Sequence, residues 1–203
     1  MAISYPIQVP NHDFASFNMR LVRAVAMTES PFTFQQQVYE YDGAKWEMEI
    51  TLPPLTYVEA REWEAFILSL RGMRGTFLMG NPLHDGPQGT ATVVALREQG
   101  LIRSTTINVD GSTSGQTLKA GDYFQIGSGA DSHIHQVVQD ATFDGSGNAT
   151  LEIEPGLRTT YANNTTLDFT LPKGVWRLAS NDIGWSVDQA SLHGFTIPCV
   201  EAL

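Results

Sequence analysis

The chain of 203 residues has one cysteine, Cys199, which excludes an internal disulfide framework and a cysteine-built zinc site and suits a reducing compartment. Basic residues are also scarce: 12 Lys and Arg stand against 22 Asp and Glu, for a formal net charge of -10. That is the wrong sign for a protein whose task is to hold nucleic-acid phosphates. Long apolar runs are missing too. Polar or charged residues interrupt each one before about 18 residues, the length of a membrane-spanning helix, and the first ten residues carry no basic cluster and no apolar stretch of signal length. The sequence therefore predicts a protein made in the cytoplasm, without membrane anchoring. No repeat or low-complexity tract stands out. With 42% hydrophobic residues, the chain can bury a core without staples, in one or two domains.

What is present is mostly strand signal. Trp46, Met48, Ile50 and Leu52 alternate with Lys45, Glu47, Glu49 and Thr51, which places apolar side chains on one face of a sheet and polar ones on the other. The run Phe32 to Glu40 precedes it through Tyr41-Asp42-Gly43-Ala44. Asp-Gly between strand-like runs predicts a tight hairpin there, and a strand around Met19 to Ala26 would make a three-stranded meander. After Pro53-Pro54 the period changes. Thr56-Tyr57-Val58-Glu59 has capping-box spacing, and Val58, Ala60, Trp63, Phe66, Ile67 and Leu70 form an apolar stripe that ends at Gly72. A helix over about 56–71 is expected.

From Gly89 to Leu171 short strand-like runs alternate with Gly, Asn and Asp clusters. Strands are expected at Thr90 to Leu96, Ser104 to Val109, Tyr123 to Ile126, His133 to Val138, Ala149 to Glu154 and Thr166 to Thr170, the spacing of a small closed barrel or sandwich. Gly80-Asn81-Pro82 to Gly86-Pro87 on entry and Leu171-Pro172-Lys173-Gly174 on exit punctuate this stretch. Strand-like runs resume at Val175 to Leu178, Trp185 to Val187 and Phe195 to Ile197. The expected fold is thus mainly β: a discontinuous β-sandwich of residues 1–85 and 173–203 braced by one α-helix, with a small β-barrel or β-sandwich domain, residues 86–172, inserted into it.

Candidate chemistry is thin. His133 and His135 sit two apart on an expected strand and could offer two imidazoles to one ion, but nothing at a recognisable spacing completes a zinc set. His84-Asp85 and Asn11-His12-Asp13 read as polar turns, without a nucleophile elbow beside them. The pairs Glu152 and Glu154, and Glu47 and Glu49, read as exposed strand faces. Gly111 to Gly115 and Gly127 to Gly129 lack the Lys and the helix of a phosphate loop. Trp46, Trp63 and Trp176 fall on apolar periods and read as core, whereas Trp185 and Tyr161 could present rings to a host glycan. Cys199, among Ile197, Pro198 and Val200, reads as a buried inert thiol. No catalytic, cofactor-binding or metal-binding residue is assigned.

Two stretches carry a family resemblance. The run Trp46 to Leu55, continuing through Glu59 to Phe66 and Leu68 to Leu78, resembles tail proteins of long, non-contractile-tailed bacteriophages. So do Leu118 to Phe124, Gly147 to Leu151, Ile153 to Arg158 and Lys173 to Leu178. The nearest type is the distal tail protein, the ring that ends the tail tube and receives the tip assembly. The resemblance implies a ring-forming β-sandwich with one helix, a second small β-barrel, a homohexamer and no catalytic motif. It implies as partners the tail tube, the hub and tip proteins and the tape-measure protein, with DNA met only in passage, and a place at the tail tip of the virion. A carbohydrate-binding module contacting the host surface through Trp185 or Tyr161 is the alternative, and a metal-dependent hydrolase built on His133 and His135 is a third class.

Overall fold

A computed structural model of the protein describes residues 3–11, 13–82, 84–187 and 192–203. The chain starts with a short strand β1 (Ile7–Gln8), two long strands β2 (Ser16–Glu29) and β3 (Gln36–Thr51), a helix α1 (Tyr57–Leu70) and β4 (Phe77–Met79). Short strands follow: β5 (Val94–Leu96), β6 (Thr106–Asp110), β7 (Thr117–Leu118), β8 (Tyr123–Ile126), β9 (His133–Val137), β10 (Ala141–Thr142), β11 (Asn148–Glu154) and β12 (Thr166–Asp168). Then come β13 (Gly174–Leu178), β14 (Trp185–Val187) and β15 (His193–Glu201). The protein is mainly β with one α-helix among the described residues, as its sequence predicts.

Trp46, Met48 and Ile50 are buried in alternation along β3, and Leu52 follows them into the same core. Over that face lies α1, whose buried residues are Ala60, Trp63, Phe66, Ile67 and Leu70. The helix begins where the capping box places it: the Glu59 carboxylate accepts the Thr56 backbone N–H at 2.9 Å and the Thr56 hydroxyl at 2.7 Å. It ends in two left-handed residues, Arg71 at φ 53° and Gly72 at φ 69°, the backbone reversal that closes many helices. Val58, expected in the buried stripe, lies on the opposite side of the helix and is exposed; at 3.6 residues per turn, position 58 stands about 140° around the helix from Trp63.

The outer sheet has the order β1-β4-β13-β15-β3-β2, with β14 paired to β15. Strands β11-β6-β5-β12-β8-β9 close into a barrel, and β7 pairs with β10 beside it. Closure leaves these strands no free edge. The barrel strands lie in the sequence between β4 and β13, which are neighbours in the outer sheet with Met79 opposite Gly174. Two cores result, but they touch: Ile134 of β9 reaches into the outer core against Trp46 and Trp176. Gly174 makes that contact possible, because a Cβ on it would stand 3.2 Å from the Ile134 side chain.

One expectation is overturned. Asp42-Gly43 is not a hairpin turn, and Phe32 to Glu40 is not a separate strand of a meander. Gln36–Thr51 is one continuous strand paired with β2, the reversal lies at residues 30–35, and Asp42-Gly43 falls in a bulge opposite Ala24, where the register shifts between Arg23 and Val25. Neither Asp42 nor Gly43 takes the left-handed backbone a tight turn would need; what Gly43 supplies is room, because a Cβ on it would stand 3.2 Å from that of Ala24.

The layered core has a measurable consequence. Trp63→Ala, which empties the space between α1 and the sheet, is expected to cost about 3–5 kcal/mol in chemical denaturation. Trp185→Ala, at a side chain 38% exposed, is expected to cost about 1 kcal/mol or less.

Candidate assembly surface

β15 pairs with β3 only along Glu47–Thr51. Beyond that point β2 and β3 leave the sheet as a two-stranded arm, with Val25 opposite Glu40, Met27 opposite Val38 and Glu29 opposite Gln36. Ser30 N–H to Gln35 C=O at 3.0 Å and Phe34 N–H to Ser30 C=O at 2.9 Å close its tip. On β2 the parity that turns Phe17, Met19 and Leu21 toward the core continues into Val25 and Met27, now uncovered. Val38, Tyr39 and Tyr41 are exposed as well, and at the tip Phe32 is 91% exposed. A two-stranded ribbon standing alone in water is marginally stable, and large apolar side chains on both faces increase its need for a covering surface.

The base of the arm is fixed by charge. Arg158, in the loop between β11 and β12, donates through Nε to Glu201 Oε1 at 2.9 Å, through Nη2 to Glu201 Oε2, and through Nη1 to the Ala44 carbonyl at 2.6 Å. Glu201 Oε2 also accepts the Trp46 backbone N–H at 2.9 Å, while the Trp46 indole donates to the Ile134 carbonyl at 3.0 Å. The two charged side chains are almost fully buried. Burial pushes the Glu201 carboxyl above its ordinary range, against the pull of the Arg158 charge and the Trp46 N–H. Toward the arm, Arg23 pairs with Glu154 of β11 and with Glu40 at 3.3 Å, and Arg103 pairs with Asp42 at 3.3 Å. The barrel thus grips the ribbon where it departs from the sheet.

The residues singled out in the sequence do not gather into one site. His133 and His135 both point into the barrel beside Ile126 and Phe124, their partners on β8. The His135 ring stacks on Phe124 with centroids 5.4 Å apart, and Nδ1 lies 2.7 Å from the Pro155 carbonyl. Burial pushes its pKa down to about 3, with the Arg158 and His133 charges acting in the same direction against the Pro155 hydrogen bond. His135 Nε2, His133 Nδ1 and the Tyr161 hydroxyl find no hydrogen-bond partner among the described residues. No three His, Cys, Asp or Glu side chains among the described residues converge as metal ligands.

His84 ties the entry to the barrel, its Nε2 lying 2.9 Å from the Phe169 carbonyl; His12 lies outside the described residues. Glu154 and Glu152 are not idle strand-face acids: Glu154 holds Arg23, and Glu152 accepts the Thr106 hydroxyl at 2.8 Å. Glu47 likewise holds Arg20 at 2.7 Å and Lys45 at 3.0 Å. Trp46, Trp63 and Trp176 are core, and Cys199 is buried with its thiol pKa raised. Tyr161 is buried and cannot serve as a glycan platform, and the Trp185 ring lies against Phe195 with centroids 6.1 Å apart. Sequence reasoning missed the arm and the Arg158–Glu201 pair. The apolar–polar alternation starts only at Ala44, with Glu40 and Asp42 on the apolar parity before it, so periodicity did not mark the arm, and nothing local marks a pair 43 residues apart.

No helix among the described residues is long and apolar enough to cross a membrane. No protein-family model matches the chain, and neither does any curated protein.

Two outcomes follow from the buried charges. Arg158→Met leaves Glu201 buried and unpaired and is expected to cost about 3–5 kcal/mol in denaturant titration, most of it recovered in Arg158→Met/Glu201→Met. His135 is neutral when folded and takes up a proton near 6.5 when unfolded. Its contribution is therefore complete above pH 6.5 and is lost as the pH falls toward 3, at about 1.4 kcal/mol per pKa unit. Melting curves from pH 7 to pH 4 should show that loss, and His135→Phe should flatten it.

Proposed function

We propose that this chain is a structural subunit of a bacteriophage tail tip, a distal tail protein whose copies form a ring between the tail tube and the hub and tip proteins. The observation that carries the reading is the arm: a ribbon held at its base that shows apolar side chains on both faces and has no covering layer among the described residues. Such an element gains its stability from a neighbour, which is the logic of an assembly protein. The resemblance at Trp46 to Leu78 and at Leu118 to Leu178 supplies the particular assembly and its sixfold count. Here the helix braces the sheet, and the barrel is a second body offered to tip proteins. The -10 charge suits a conduit, because an acidic wall does not retain the phosphates of DNA passing through it.

The purified protein is expected to run as a hexamer, or as a monomer that converts to a hexamer with rising concentration, in sizing with mass measurement. Met27→Thr/Val38→Thr, a polar pair that suits two strand positions facing each other, should abolish the larger species without lowering the melting temperature, since both positions are exposed. A strict monomer that never joins purified tail-tube or hub protein would refute the reading.

A further inference from the structure

Resting on that assembly reading, we propose that the arm of one copy lies along the outer side of α1 of a second copy, in a head-to-tail contact repeated around the ring. The inner side of α1 is fully used by the core. Its outer side presents Val58, Arg61, Ala65 and Leu68 at spacings of three and four, hence on one face. Val58 is 73% and Leu68 66% exposed. Past the helix end, Arg71, Met73 and Arg74 extend the same mixture of apolar and cationic side chains, all exposed.

Three features match this surface to the arm. The first is length: α1 has 14 residues, about 21 Å at about 1.5 Å per residue, and each arm strand from Val25 to Glu29 or Gln36 to Glu40 runs about 17 Å before the tip. The second is chemistry, with Val25, Met27 and Val38 available on one arm face to meet Val58, Ala65 and Leu68. The third is charge. Residues 24–41 of the arm contain Glu29 and Glu40 and no Lys or Arg, whereas the helix surface offers Arg61, lying over the Tyr57 ring, with Arg71 and Arg74 beyond the helix end, against Glu62 and Glu64 on its flanks. Copies of a chain with net charge -10 repel one another on average, so a contact between them is favoured where cations of one meet anions of the other.

Arm and helix surface are different patches, so the contact is heterologous: each copy gives one arm and receives one, and the series closes as a ring. A strip about 20 Å by 10 Å is at the weak end for a single interface, and two such contacts per copy hold the closed ring.

The test uses two full-length variants, Met27→Thr/Val38→Thr in the arm and Leu68→Gln on the helix, both at exposed positions and both checked for an unchanged melting temperature. Each alone is expected to be monomeric where the unmodified protein forms rings. Mixed in equal amounts at high concentration, they retain one intact arm and one intact helix surface, and native mass measurement should show a 1:1 heterodimer and nothing larger. A ring that persists in Leu68→Gln, or a mixture that stays monomeric, overturns the inference and leaves the assembly reading standing. An unmodified protein that stays monomeric, alone and with its tail partners, overturns both. Flotation with phosphatidylcholine vesicles that is lost in Phe32→Ser would assign the arm to a lipid surface and overturn the inference too.

Discussion

The buried pair of Arg158 and Glu201 is the constraint on which the arrangement of this molecule depends. One charge comes from a barrel loop and the other from the last strand of the outer sheet. Taking both out of water costs several kcal/mol, and the cost is offset only in a geometry that satisfies every polar atom. Here that geometry includes the Ala44 carbonyl and the Trp46 backbone N–H, both on β3 just before it joins β15. A single polar knot therefore sets three things together: the position of the barrel, the register of the sheet, and the point where the arm begins.

The arm inherits its form from that knot. At its root the ribbon is held on one side by Arg23 with Glu154 and by Asp42 with Arg103, and its bulge at Asp42-Gly43 adds local twist. Past the root no element among the described residues covers it. The side-chain parity that makes a core at Met19 and Leu21 makes an uncovered apolar strip at Val25 and Met27. One sequence pattern thus makes a core at one end of a strand and an exposed apolar strip at the other, and only the extent of the neighbouring strand separates the two.

Local rules read correctly from the sequence wherever the determining residues are close together in the chain. The alternation at Trp46 to Leu52, the capping box at Thr56 and Glu59, and the turn-punctuated strands from Thr106 to Glu154 each depend on neighbours within a few residues. The same holds for the burial of Trp63 and Trp176, which follows from apolar periodicity, and of Cys199, which follows from its neighbours Ile197, Pro198 and Val200. Where two local structures share one composition, the reading failed: Asp-Gly suits both a turn and a bulge, and Val58 sits next to an apolar stripe without belonging to it. Glu152 and Glu154 look like idle acids until strands from elsewhere bring Thr106 and Arg23 against them.

The amino-acid sequence by itself thus determined a mainly β chain with one capped helix, its inner faces, and a net charge that disfavours holding nucleic acid. Tertiary structure alone decided that the inserted strands close into a barrel, that Arg158 meets Glu201, and that β2 and β3 outrun their sheet to form an arm. The physical reason is range. Periodicity and capping are properties of a few consecutive residues, while closure, charge pairing and exposure depend on which distant segment arrives opposite, a choice that the packing of the whole chain makes.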